Sequence, residues 1–87
     1  MDTVAEALAY EYEWMIVNEE DSGGETHCSR HPLATYDGGT SLATLARSLD
    51  ESCSDGRVTG VAIQRGPLDP HMAEAGDVLT LRGTLDG

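Results

Sequence analysis

Lysine is absent from this chain of 87 residues, and its five basic side chains, Arg30, Arg47, Arg57, Arg65 and Arg82, stand against sixteen carboxylates. The formal charge is −11. Residues 1–29 hold eight acids and no base (−8), while residues 30–87 hold eight acids and all five arginines (−3). A balance of this kind repels nucleic-acid phosphates and argues against DNA or RNA as a partner. It attracts cations and basic protein surfaces, or simply keeps an acidic face solvated. No apolar run approaches the roughly 18 residues that span a bilayer, so no direct membrane insertion is expected. The opening Met1-Asp2-Thr3 lacks the basic stretch of a secretory signal, which predicts a cytoplasmic location. Cys28 and Cys53 are too few for a disulfide scaffold and are expected as buried, unreactive thiols.

What remains is enough for one small domain. Hydrophobic residues make up 39% of the chain, and a domain this short has modest stability that a partner subunit would raise. Residues 3–17 carry two patterns: Val4, Ala5, Leu8, Ala9, Tyr12, Met15 and Ile16 form a helical stripe, while Tyr10 to Trp14 alternate as a strand. The strand, over 10–17, is slightly favoured. Glu20 to Gly24 reads as a turn, and Glu25 to Tyr36 as a return strand or irregular segment interrupted by Pro32.

The clearest helix begins with Thr40 or Ser41 as cap, carries Leu42, Leu45, Ala46, Leu49 and Cys53 on one face, and ends near Asp55-Gly56. A strand over 58–65 follows, with Val61 and Ile63 on one face and Val58 and Ala62 on the other. After a polar segment containing Pro70, a last strand is expected over 77–85, with Leu79, Leu81 and Leu85 opposite Val78, Thr80, Arg82 and Thr84. The expectation is an α+β fold: a two-layer domain whose antiparallel sheet is covered by one main helix, with Leu45 and Leu49 central. Residues 1–36 form an acidic N-terminal strand or hairpin region, and residues 37–87 a helix plus two strands.

Three stretches in order carry a resemblance. Ser41-Leu42-Ala43-Thr44-Leu45 at a helix start, Val61-Ala62-Ile63-Gln64-Arg65-Gly66 closing a strand, and Gly76-Asp77 opening Val78 to Gly83 together resemble the C-terminal regulatory domain of potassium-conductance proteins, the TrkA-C or RCK C-terminal family. The likeness covers about half the chain, and the segment between Arg65 and Gly76 is shorter than is usual there. The resemblance implies a non-catalytic, dimeric sensor that regulates a potassium channel or cation antiporter subunit by binding a nucleotide, cyclic dinucleotide or cation near the dimer interface. It places Arg65, Ile63, Pro70 and His71 around the ligand, with Arg65 as the anion contact through its forked guanidinium. The plainer reading of Arg65 is a strand-end arginine paired with an acid.

Other groupings are weaker. Tyr10, Tyr12 and Trp14 sit together either as sheet packing or as an interface with a partner or second copy. His27-Cys28-x-x-His31, with Cys53 and His71 elsewhere, fits no standard zinc spacing. The adjacent Glu19, Glu20 and Asp21 lack EF-hand spacing. No signature of a nucleophile surrounds Cys28, and no phosphate-cradling glycine motif is present. The alternative to a sensor is a standalone acidic module that occupies a basic partner surface, a mimic of nucleic-acid charge.

Overall fold

The computed structural model describes residues 1–53, 55–65 and 77–83. Both patterns read in residues 3–17 are realised, one after the other. Helix α1 spans Val4–Ala9 and strand β1 spans Tyr12–Glu20. Thr3 caps α1 by accepting from the Glu6 amide at 3.2 Å. Two more of its free amides donate to the loop ahead of the next helix, Val4 to the Thr40 carbonyl and Ala5 to that of Gly38, each at 3.0 Å. Val4 and Ala7 are fully buried, so one short face of α1 enters the core.

A tight turn joins β1 to β2, Thr26–Pro32. The Asp21 amide donates to the Glu25 carbonyl at 2.8 Å, and Asp21 Oδ1 accepts from the Gly23 and Glu25 amides at 2.9 Å each. Pro32 ends β2 rather than interrupting it, and a single 3-10 turn, Leu33–Thr35, buries Leu33 completely. Ser41 then caps helix α2, Leu42–Ser52, by accepting from the Thr44 amide at 3.0 Å. The helix stops before the expected Asp55-Gly56, leaving Cys53 as its C-cap.

Strands β3, Arg57–Arg65, and β4, Val78–Gly83, complete an antiparallel sheet in the order β2-β1-β3-β4. The fold is α+β: the described residues form a four-stranded antiparallel sheet with one main helix and one short one. In the two central strands Met15 pairs with Ile63 and Val17 with Val61. These four lie in one core with Val4, Ala7, Leu33, Leu42, Leu45 and Ala46, all buried. Ile16, Ala62 and Gln64, at the alternate positions, are also buried, and none belongs to that core.

Several sequence expectations need correction. Leu49 is only partly buried at the edge of the core, whereas Leu45 lies within it. Val58 packs against the same core as Val61 and Ile63, because the β1–β3 register shifts between Asn18 and Glu19 and reverses the alternation. A second shift, in β3–β4, brings Arg82 opposite Val61, and its guanidinium meets Asp50 of α2 at 2.9 Å. Cys28 is exposed and Cys53 half-buried, so neither is a core thiol. The expected Thr84 and Leu85 positions lie outside the described residues.

Candidate functional site

The chain leaves α1 through an unusual backbone. Glu11 donates its amide to the Leu8 carbonyl at 3.0 Å and takes φ 70°, the left-handed conformation in which helices usually end on glycine. A side chain there costs about 1 kcal/mol relative to glycine, a strain that tends to persist where function retains it. The break has a consequence for the next residues. The β1–β3 register shifts between Tyr12, which pairs with Arg65, and Trp14, which pairs with Gln64. Tyr12 therefore joins the core, Trp14 does not, and Glu13 between them stays exposed.

This corner holds an open cleft of about 600 Å³ lined by Leu8, Glu11, Tyr12, Glu13, Arg65 and Asp77. The Arg65 guanidinium lies 5.3 Å from the centroid of the Tyr12 ring and donates from Nε to Asp77 Oδ1 at 3.3 Å. Stacking of this kind contributes about 0.5–1 kcal/mol, and the half-exposed ion pair little more. Among the described residues, three carboxylates thus line the cleft against one guanidinium already matched by Asp77. The local field is negative, as is that of the whole chain. Such a cleft attracts a positively charged group and resists a phosphate, and the Leu8 side chain, 37% exposed, offers an apolar contact beside it.

The residues singled out in the sequence fall as follows. Arg65 lines the cleft, while Ile63 is fully buried in the core. Pro70 and His71 lie outside the described residues. Tyr10 is 61% exposed at the end of α1, Tyr12 is buried, and Trp14 is half-buried, so the three do not form one surface. Glu11 and Glu13 had no role in the sequence reading, because their part depends on the helix break and the register shift. Of the weaker groupings, Glu20 pairs with Arg57 at 3.4 Å, and His31 contacts Ser29 Oγ at 3.2 Å. His27 Nε2 meets Asp21 Oδ2 at 3.1 Å. That hydrogen bond holds the Asp21 carboxyl below its ordinary pKa and raises that of the His27 imidazole.

None of the described helices is long and apolar enough to cross a membrane. Comparison of the chain with protein-family models, with curated proteins and with solved structures finds no match.

Proposed function

We propose that this chain is a non-catalytic regulatory domain that binds a positively charged group in the cleft between α1, β1 and the ends of β3 and β4. The observation that carries the reading is the lining of that cleft: Glu11, Glu13 and Asp77 outnumber a single, already paired Arg65. Among the ligands that the family resemblance implies, this favours the cation over the nucleotide or cyclic dinucleotide. Arg65 then serves by ordering Tyr12 and Asp77 instead of clamping a phosphate. The resemblance to the RCK C-terminal domain supplies the wider setting: a cytoplasmic homodimer that modulates a potassium channel or cation antiporter subunit. Binding regulates such a dimer only by favouring one of two arrangements over the other.

A second reading rests on Leu8, an exposed apolar side chain lining the same acidic cleft, and on Tyr10, exposed at the end of α1 next to Glu11 in the chain. An aromatic anchor beside carboxylates suits a basic segment of a partner protein, in keeping with an acidic interaction module. Both readings place a cationic group among Glu11, Glu13 and Asp77. Titration calorimetry with agmatine, a small guanidinium and amine compound, separates them from an anion sensor. Agmatine binding is expected, weakened in Glu13→Gln, with no heat from cyclic dinucleotides. In Glu11→Gly, stability should rise by about 0.5–1 kcal/mol as the strain is relieved, while agmatine binding falls. Tighter binding of a cyclic dinucleotide than of agmatine would reject the proposal. A basic peptide that binds far more tightly than agmatine, with steep loss in salt, would favour the partner-protein reading.

A further inference from the structure

At the opposite end of β1, the tip of the β1–β2 hairpin gathers Asp21, Glu25 and His27, whose ligand atoms all lie within 4.8 Å of one another. The turn fixes the aspartate: Oδ1 is occupied by the Gly23 and Glu25 amides, which leaves Oδ2 directed at His27 Nε2, 3.1 Å away. His27 is 58% exposed, so an ion reaches it without any rearrangement of the core. One nitrogen and two carboxylate oxygens differ in kind from a purely acidic surface. Oxygen-only groups suit magnesium and calcium, whereas an imidazole ligand selects zinc, nickel or copper.

We propose that the hairpin tip is a binding site for a zinc-class divalent cation, with Asp21, Glu25 and His27 as its ligands. The ion replaces the His27–Asp21 hydrogen bond and closes the three side chains around itself. The site is distinct from the cleft at the other end of β1 and does not depend on it.

The test is titration of the full-length chain with zinc chloride, in parallel with Cys28→Ser to remove the neighbouring thiol. One zinc per chain is expected, unchanged by Cys28→Ser and not displaced by excess magnesium. Zinc binding should weaken at least about tenfold in Asp21→Asn, Glu25→Gln and His27→Ala, since even loss of an outer partner costs that much. Glu25 contributes its backbone to the turn, so Glu25→Gln keeps the hairpin intact and separates a lost ligand from a lost fold. Cobalt added to the isotopically labelled protein should broaden the amide signals of residues 21–27 first. Equal zinc affinity in His27→Ala, displacement by magnesium, loss in Cys28→Ser alone, or broadening centred elsewhere would each overturn the assignment.

Discussion

Leu33→Ala is expected to lower the unfolding free energy by about 2–5 kcal/mol, one of the two largest effects of any single substitution considered for this chain. Leu33 follows the end of β2 in the 3-10 turn and is fully buried among Val4, Met15, Leu45 and Ile63 in the core cluster. Its removal leaves a void that a short turn, held at both ends by the sheet and by α2, closes poorly. For a chain of this size each kcal/mol moves the melting midpoint by roughly 4–8 °C, so the loss amounts to about 8 °C or more. Leu49→Ala supplies the contrast: its side chain is only partly buried at the core's edge, and the loss should be on the order of 1 kcal/mol. Urea unfolding of both variants with an unchanged slope checks the pair. Equal midpoints for the two would mean that the core is misplaced.

Gly56→Ala is expected to be comparably damaging for a different reason. Gly56 has φ 103°, and a Cβ built there would collide with the Glu20 carbonyl oxygen and lie 2.7 Å from the Asp21 Cα. Both obstacles are backbone at the end of β1, so no side chain can swing aside. Strain at the dihedral, about 1–3 kcal/mol, adds to an overpacking cost of similar size, which gives roughly 2–6 kcal/mol in all. Because the turn into β3 passes directly over the end of β1, the substitution should also disturb the Glu20–Arg57 contact and the hairpin tip beyond it. A urea midpoint within error of the parent would contradict this packing.

Much of the architecture was legible because local chemistry and the fold agree. Ser41 announces α2, Leu42, Leu45 and Ala46 mark its buried face, and the β-branched run before Arg65 marks β3. The order of helix followed by hairpin is also what the chain adopts. What escaped the sequence lies at irregularities that no period encodes. Residues 3–17 satisfied two periods because they contain a helix and a strand, split at a glutamate in a conformation that glycine usually supplies. Register shifts at Asn18/Glu19 and in β3–β4 sent Val58 and Arg82 to the faces opposite those that alternation predicts. Leu33 carried no signal of its importance, since one leucine after a proline belongs to no stripe.

The candidate sites divide in the same way. Arg65 was identified at the end of its strand, and the plainer reading of it as paired with an acid holds in the contact with Asp77, twelve residues away. Its carboxylate neighbours Glu11 and Glu13 were visible only as members of an acidic third of the chain. Nothing in their spacing indicates that a helix break and a register shift bring them to the same cleft. The three aromatics beside them looked like one patch, yet the same shift sends Tyr12 and Trp14 to different sides of the sheet. At the hairpin tip the adjacent Glu19, Glu20 and Asp21 suggested a cation site by proximity in sequence. The group that converges in space instead skips residues, taking Asp21, Glu25 and His27 across a turn.

The most direct test of the cationic-ligand reading is an amide chemical-shift titration of the isotopically labelled protein with agmatine, at moderate salt and in the presence of a chelator that keeps the hairpin tip free of metal. Saturable shifts concentrated at Leu8 to Glu13, Arg65 and Asp77, and saturating only at higher agmatine concentration in Glu13→Gln, are the predicted result. Shifts spread over the whole acidic surface, or a cluster at this corner only when a cyclic dinucleotide is added, would contradict it.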